Sequence, residues 1–366
     1  MGIVMSVRVG KSLMRPLNDS RSSSAQSGTP RRCAPSRAVR TRPIWRLFSL
    51  TEMTSPTRTC APWGRSPRSA LETIPRFDFP GTAYSHGWYA LAPNRGDPEE
   101  RTLERVWRVG SGGARIRLHQ PAGAGGAVEM EVLDGRGARS GPPPATWRGI
   151  ARDVRHMLRL DEDLSVFHAL CLRAGPPFDR AAARGFGRLL RSPTVYEDLV
   201  KMICTTNCSW ALTLKMVNGL VNNLGRESND GRKSFPNASA MAAMPLKFFV
   251  DEVRAGYRAP YLKELAGRVA SGELNVEEWL SSELPTRDLL KQMKGVKGVG
   301  DYAAENLLKL LGRYDGLALD SWTRARFFEL RNKGRKANDK KIARYYARFN
   351  EWRGLALWCD VTRDWL

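Results

Sequence analysis

The most restrictive feature of the sequence is a pair of short amphipathic segments that follow each other closely near its C-terminal end. Leu289 and Met293 would lie on the apolar face of a first short helix. A second helical pattern begins near Asp301 and continues to Leu311. Because so few residues separate the two patterns, the sequence predicts a helical hairpin at about residues 286–311.

The connection of this hairpin contains Gly298 and Gly300, which flank one apolar residue. Glycine permits the positive φ of a tight turn, so N–H groups at the start of the second helix can stay free for a DNA phosphate. Lys294 and Lys297 add positive charge at the same place, and Asp301 stands where a helix N-cap is useful. The alternative is an ordinary helical hairpin, because two glycines around one residue are weak evidence by themselves.

Asp320 is the second informative residue. It lies eighteen residues beyond Tyr302 and directly after the apolar, strand-like Leu317–Leu319. We expect its carboxylate to lie close to the hairpin. The alternative is a structural role as the cap of a helix over Ser321–Leu330.

The remaining pattern predicts an α+β fold, with a small antiparallel β domain at 76–145 followed by a large helical body at 146–366. Ala114–Leu118 and Ala127–Leu133 alternate apolar and polar residues, as half-buried strands do. Helical spacing then dominates, and Pro193–Leu224 is expected to form one or two long amphipathic helices.

The formal net charge of +22 favours a polyanionic partner. Half of this charge belongs to residues 1–70, which hold thirteen Lys or Arg and two acids and are rich in Ser and Pro. We expect this basic tail to be disordered, as an unfolded extension or the product of an early start codon, with a transit peptide as the alternative. We expect a DNA-containing intracellular compartment, either nucleoid and cytoplasm or nucleus, or an organelle if the tail is a transit peptide.

The cysteines and histidines follow no metal-binding spacing. Cys204 and Cys208 are four residues apart, and no second pair follows them at a zinc or iron–sulfur spacing. We therefore expect no metal held by side chains and no disulfide framework. No run of eighteen apolar residues is present, so we expect no membrane span.

The combination of the hairpin and the aspartate resembles the helix-hairpin-helix–Gly/Pro–Asp DNA glycosylases. The matching residues are Gly298–Ala304 (GVGDYAA), a helix, an apolar pair and Asp320. Lys297 replaces the proline that usually precedes the first hairpin glycine. Gly187–Ala211 and Gly256–Leu265 also resemble 8-oxoguanine DNA glycosylases.

Arg159–Phe167 resembles a segment of the same enzymes and of 3-methyladenine DNA glycosylase II. The resemblance covers roughly residues 76–366. It implies an enzyme of base excision repair that flips a damaged base out of double-stranded DNA and hydrolyses its N-glycosidic bond. It also implies that Asp320 is the catalytic carboxylate and that Asn207 is the wedge that fills the vacated space. For Asn207 the alternative is a helix cap or a polar turn.

The resemblance further bears on strand cleavage. Family members that also cut the strand carry a lysine two residues after the second hairpin glycine, where this sequence has Tyr302. A phenol cannot form the required imine, so we expect a monofunctional glycosylase without AP-lyase activity. Lys297 and Lys309 do not match that position.

Aromatic residues near these motifs are candidates for the base pocket. We expect Tyr302 and Trp322 to line it, with Trp210, Trp352 and Trp358 as weaker candidates. The alternative is that these side chains are ordinary core aromatics.

The remaining expectations concern binding partners. Arg324 and the basic stretch Arg331–Arg348 are candidates for contact with DNA, or else solvated helix faces. We expect no organic cofactor, although hairpins of the family often hold a monovalent cation through backbone carbonyls. We expect a monomer whose partner is damaged duplex DNA.

We expect alkylated purines as substrates, because they fit the missing lysine and the aromatic candidates. Oxidised purines, which fit the 8-oxoguanine-glycosylase-like segments, are the alternative. A non-catalytic helix-hairpin-helix DNA-binding protein and an RNA-binding protein acting through the basic tail are the other classes. The helix-hairpin-helix module would need the hairpin but not Asp320 or Asn207.

Overall fold

The computed structural model describes residues 68–121, 126–133 and 142–365. The described part of the chain begins with one antiparallel sheet and continues as a helical body, which confirms the predicted α+β fold class. The tail that was expected to be disordered, residues 1–70, lies outside the described ranges except for residues 68–70. The strands are β1 Arg68–Glu72, β2 Asn94–Asp97, β3 Thr102–Val109, β4 Gly112–His119 and β5 Ala127–Val132.

The sheet has the strand order β1-β5-β4-β3-β2, and every pairing is antiparallel. Residues of β4 alternate as the sequence predicts: Ala114, Ile116 and Leu118 are buried, while Arg117 points away and pairs with Glu104 at 2.9 Å. One face of the sheet thus supplies the core that the helices cover.

The sheet begins earlier than the predicted boundary at residue 76. Strand β1 starts at Arg68 and pairs along its whole length with β5, so residues 68–70 belong to the sheet instead of the tail. Its short Arg-Ser-Ala-Leu-Glu sequence has little β character, and pairing with a neighbouring strand determines its conformation.

Helices form the rest of the described chain, and none of them is long and apolar enough to cross a membrane. The α-helices are α1 Phe79–Ala83, α2 Pro144–Met157, α3 Ser165–Ala174, α4 Asp179–Arg184, α5 Val195–Thr205, α6 Trp210–Leu224, α7 Ala238–Ala242, α8 Leu246–Asp251, α9 Ala259–Ala270, α10 Thr286–Lys294, α11 Asp301–Leu310, α12 Ser321–Arg331, α13 Asp339–Tyr346 and α14 Arg353–Val361. Short 3₁₀ segments occupy Gly87–Ala90, Gly256–Arg258, Val276–Leu280 and Ala347–Trp352.

Two local expectations are refined by these bounds. Pro193–Leu224 forms two helices, α5 and α6, which are separated by a turn at 206–209. The strand-like Leu317–Leu319 forms no strand, because Ala318 adopts a φ of 50° that is incompatible with extended backbone.

A buried ionic cluster joins the sheet to α5. Arg105 of β3 lies 2.6 Å from the Glu197 carboxylate, and Lys201 lies 2.7 Å from it on the other side. Burial alone would raise the pKa of Glu197, but the two cations lower it to about 2. The neighbouring Asp198 accepts a hydrogen bond of 2.7 Å from the indole of Trp88. This cluster fixes α5 and Trp88, which both contribute to the site described below.

Candidate active site

The predicted helical hairpin is formed by α10 and α11. Gly298 has a φ of 88°, and a Cβ added to it would lie 2.8 Å from Cδ2 of Tyr261, so both conformation and space require glycine. Gly300 is exposed, and a Cβ there would meet nothing within 4 Å. The start of α11 is therefore an open surface with backbone N–H groups directed outward.

Asp301 is not the N-cap of this helix, contrary to expectation. Gly300 occupies the cap position, and Asp301 is the first helical residue. Its carboxylate instead accepts a hydrogen bond of 2.5 Å from the Lys294 ammonium. An acidic side chain in the first turn still stabilises the helix through its dipole.

Three of the cations predicted to meet DNA are paired with carboxylates on the protein surface. Lys294 pairs with Asp301, Lys297 pairs with Glu264 at 2.7 Å, and Arg324 binds Asp339 at 2.8 Å. Exposed ion pairs contribute only about 0–1 kcal/mol each, so a phosphate can replace these carboxylates at small cost. Lys294 is the last residue of α10, directly before the hairpin turn, whereas Arg324 lies on α12.

Asp320 is the N-cap of α12, so the structural alternative for this residue is correct. Its Oδ1 atom accepts hydrogen bonds from the Thr323 N–H at 2.7 Å and the Thr323 hydroxyl at 2.8 Å. The Thr323 hydroxyl also accepts from the backbone N–H of Asp320 at 2.9 Å. Both bonds to the carboxylate reach the same oxygen, so Oδ2 accepts no hydrogen bond from the described residues. The cap therefore orients the carboxylate and leaves one oxygen for another partner.

Two side chains of α11 hold the loop that leads to Asp320. The Glu305 carboxylate accepts a hydrogen bond of 2.5 Å from the N–H of Ala318, and the Lys309 ammonium donates to the Leu317 carbonyl at 3.0 Å. These bonds stabilise the unusual φ of Ala318. The position of Asp320 thus depends on the same helix that begins at the hairpin.

A cavity of about 100 Å³ that is rich in aromatic side chains opens beside Asp320. Tyr302 and Trp322 both line it, as do two of the three weaker candidates, Trp210 and Trp358. Trp352 does not line it and instead stacks on Tyr314 in the core, with ring centroids 5.3 Å apart. The remaining aromatic lining residues are His86, Trp88 and Trp365.

A groove runs outside this cavity, and we call it the hairpin groove. It is lined by the hairpin residues from Val296 to Ala303 other than Lys297, by the α5–α6 turn including Asn207, and by Tyr257 and Tyr261. Thr205, Tyr302 and Asp320 line both the cavity and the groove. These three residues therefore mark the mouth of the cavity, where the two spaces meet.

Asn207 lies at the exposed tip of the turn between α5 and α6. It has a φ of 44°, a left-handed conformation that asparagine tolerates well. Its side-chain amide donates to the Tyr257 hydroxyl at 3.3 Å, and the Arg258 guanidinium lies 4.4 Å from the Tyr257 ring centroid. Ser209 is the N-cap of α6, so Asn207 is a turn residue and caps neither helix. An exposed side chain on a fixed turn is suited to enter a DNA duplex.

Burial shifts the protonation of groups around the cavity. It lowers the pKa of His86 to about 4, although His86 Nε2 is hydrogen-bonded to the Leu190 carbonyl. Burial and the nearby Asp320 charge raise the pKa of the Tyr302 phenol. Burial also lowers the pKa of Lys309 to about 8, against the opposing effect of Glu305 and Asp320. At neutral pH the cavity thus contains a neutral imidazole and a protonated phenol.

Comparison with solved structures decides the fold. MBOgg1 in complex with a low-affinity DNA ligand matches with a TM-score of 0.62 and 19% identity, covering 81% of this chain and 96% of that chain. The 3-methyladenine DNA glycosylase from Archaeoglobus fulgidus matches with a TM-score of 0.61 and 18% identity, covering 81% of this chain and 98% of that chain. The Clostridium acetobutylicum 8-oxoguanine glycosylase/lyase in its apo form matches with a TM-score of 0.61 and 18% identity, covering 80% and 95%.

This chain has the fold of the helix-hairpin-helix DNA glycosylases. No protein-family model matches the sequence, and no curated protein matches it. The expected similarity to this type of glycosylase is therefore confirmed at the level of fold, over about four fifths of the chain.

Within this glycosylase fold, sequence reasoning missed several residues of the cavity. His86 and Trp88 come from the segment between β1 and β2, and Trp365 comes from the end of the chain. Lys309 also lines the cavity, although it does not match the position of the lyase lysine. One signal could have indicated it: Lys309 lies seven residues after Tyr302, which places both side chains on the same face of α11.

The described residues contain no group of three or more His, Cys, Asp or Glu side chains that could hold a metal ion. Cys204 and Cys208 are free thiols within the described chain. At the hairpin, the Val299 carbonyl accepts no hydrogen bond from the described residues. This oxygen suits the backbone coordination of a monovalent cation that the resemblance implies.

Proposed function

We propose that this protein is a DNA glycosylase of base excision repair, which flips a damaged base from duplex DNA and hydrolyses its N-glycosidic bond. One observation carries the proposal: the Asp320 carboxylate, held by its cap bonds to Thr323, keeps a free oxygen at the mouth of an aromatic cavity. The hairpin groove reaches the same mouth. A flipped nucleotide can therefore place its base in the cavity and its phosphates along the hairpin.

The chemistry follows from this placement. Cleavage of the N-glycosidic bond develops positive charge on the sugar, which lies at the mouth when the base occupies the cavity. The Asp320 carboxylate stabilises that charge and can orient or deprotonate the attacking water. Asn207 lies on the same groove, exposed and on a fixed turn, where it can fill the space that the flipped nucleotide leaves.

The hairpin positions the DNA without reading its sequence. N–H groups at the exposed start of α11 and the nearby Lys294 are suited to bind phosphate. Lys297 and Arg324 would add charge along the approach to the groove. Because their ion pairs are exposed, the affinity for DNA is expected to fall with increasing salt.

Alkylated purines are the substrate class that we propose. Trp322, Trp358 and Trp210 line the cavity and provide flat faces on which an alkylated purine stacks. Oxidised purines are the second candidate, supported by a separate observation. The two segments that resemble 8-oxoguanine DNA glycosylases meet in space where Asn207 contacts Tyr257.

We further propose that the enzyme is monofunctional. By resemblance, Tyr302 stands at the sequence position of the lyase lysine, and it lines the cavity mouth. Its phenol has no amine with which to form a Schiff base. A lyase activity is part of the name of the similar Clostridium acetobutylicum enzyme, so it has to be tested directly.

The proposal requires no organic cofactor. A monovalent cation at the hairpin carbonyls would rigidify the phosphate-binding turn. The protein is proposed to act as a monomer on double-stranded DNA, in a compartment that contains DNA.

The test uses duplexes that each carry one lesion: 3-methyladenine, 1,N⁶-ethenoadenine, hypoxanthine, 8-oxoguanine or uracil. Purified protein is incubated with each duplex, and strand breaks are counted with and without alkali. Breaks that need alkali and disappear in Asp320→Asn are expected. The exposed Asp288→Asn on α10 serves as a matched control and should retain activity. Duplex binding without base release would instead indicate the non-catalytic binding protein, and breaks without alkali would contradict monofunctionality.

A further inference from the structure

Lys309 is a buried lysine whose side chain faces the aromatic cavity. Only 2% of its surface is exposed, and its ammonium lies 5.7 Å from the ring centroid of Trp358. One of its three N–H groups donates to the Leu317 carbonyl. The other two N–H groups can face the cavity, because the Lys309 side chain lines it.

No carboxylate neutralises this ammonium within salt-bridge distance in the described chain. Lys201 provides the contrast, because it is equally buried but lies 2.7 Å from the Glu197 carboxylate. Glu305 and Asp320 lie close enough to raise the pKa of Lys309, but neither of these described carboxylates forms an ion pair with it. Burial of an unpaired charge costs free energy, and holding the Leu317 carbonyl does not require a charged side chain. A ligand that accepts a hydrogen bond would compensate this cost.

The position of Lys309 indicates which part of the substrate it meets. Thr205, Tyr302 and Asp320 line both cavity and groove, whereas Lys309 lines the cavity alone. Seven residues of helix separate Lys309 from Tyr302, a rise of roughly 10 Å along α11. Lys309 thus borders the space that a flipped base would occupy, and it does not line the groove.

We propose that Lys309 is a specificity-determining residue that selects uncharged damaged purines with a hydrogen-bond acceptor at the inner edge, against purines made cationic by ring methylation. This inference rests on the proposed function and narrows its substrate class. It favours 1,N⁶-ethenoadenine among alkylated purines, and also admits hypoxanthine and 8-oxoguanine. It disfavours 3-methyladenine, whose nucleoside carries a positive charge.

The physical basis is charge and hydrogen bonding at close range. An acceptor atom on a neutral base receives a charge-assisted hydrogen bond from the ammonium. A cationic base meets a like charge inside an aromatic enclosure that screens poorly. The lowered pKa of Lys309, about 8, leaves the ammonium protonated over most of the neutral range.

The test compares excision of 1,N⁶-ethenoadenine and 3-methyladenine by the full-length protein under single-turnover conditions. Lys309→Met keeps the length of the side chain without charge or donor, and Lys309→Gln keeps a donor without charge. The exposed Lys247→Met is the matched control. The readout is the ratio of the two excision rates. If a substitution at Lys309 disturbs the loop before Asp320, both rates fall together and their ratio stays the same.

We expect Lys309→Met to shift the ratio of the two excision rates towards 3-methyladenine by at least about 10-fold relative to the wild type. Lys309→Gln should speed the excision of 3-methyladenine and keep the excision of ethenoadenine, and Lys247→Met should leave the ratio unchanged. A ratio that Lys309→Met leaves within about 2-fold of the wild-type value would refute the role of Lys309 alone. A wild type that releases no base from any duplex would refute the proposed function itself.

Discussion

Asp320 has two roles in this account, and two substitutions separate them. Asparagine is as good an N-cap as aspartate, so Asp320→Asn should preserve both hydrogen bonds from Thr323 and change stability little. Asp320→Ala removes the cap and should cost about 1–2 kcal/mol of unfolding free energy. In a domain of this size the melting temperature should then fall by roughly 2–6 °C.

The effect on catalysis should be the same for both variants, because each removes the negative charge. A carboxylate about 4 Å from a developing cation contributes roughly 4 kcal/mol at an effective dielectric constant of 20. Excision should therefore slow by about 10²–10³-fold in Asp320→Asn and in Asp320→Ala alike.

The assay combines thermal unfolding with single-turnover excision on the best lesion of the panel, for the wild type and both variants. Equal loss of excision with unequal melting temperatures is the expected result. Asp320→Asn that excises within about 3-fold of the wild type would refute the electrostatic role of Asp320. Equal melting temperatures for Asp320→Ala and the wild type would refute the capping role.

Three further predictions follow from the same geometry. Tyr302→Lys should give strand breaks without alkali and a covalent adduct that borohydride traps, because an amine then lies at the cavity mouth; a gel without either product would contradict this placement. Asn207→Gly keeps the left-handed turn but removes the wedge side chain, so the excision rate on fully paired duplex should fall about 10-fold. The rate on a mismatched lesion should fall less, because a mismatched base costs less to flip. Equal effects on both substrates would argue against a wedge. Raising the pH from about 7 to 9 deprotonates Lys309, whose pKa is lowered to about 8, so the ratio of 3-methyladenine to ethenoadenine excision should rise. His86 and Tyr302 do not change protonation over that range. Glu305 and Asp320 also face Lys309. The Lys309→Met variant therefore identifies the group responsible, because its excision ratio should not rise with pH.

Local sequence was sufficient for the elements that carry the site. Apolar spacing and two glycines define the hairpin of α10 and α11, because helix periodicity and positive φ are properties of a few neighbouring residues. The same reasoning found Asp320 and correctly kept its capping role as an alternative. Asn207 was indicated only by resemblance, since a lone asparagine in a polar turn has no distinctive pattern.

The cavity itself could not be predicted in the same way, because distant segments form it. Trp88 lines the cavity and is held there by a hydrogen bond to Asp198, which is more than a hundred residues away in the sequence. Lys309 follows helical spacing, but only tertiary packing reveals that its face of α11 borders a cavity. The composition of Leu317–Leu319 suggested a strand, but its conformation is stabilised by the hydrogen bond that Ala318 N–H donates to Glu305 and the one that Lys309 donates to Leu317.

The most direct test of the central claim is to identify the bases that the enzyme releases. Duplex DNA bearing alkylated, deaminated and oxidised purines is incubated with the wild type or Asp320→Asn, and the free bases are quantified by mass spectrometry. The account predicts that the wild type releases at least one damaged purine, and that Asp320→Asn binds the same DNA but releases little. Equal release by both proteins, or no release by a wild type that still binds the DNA, would contradict the account.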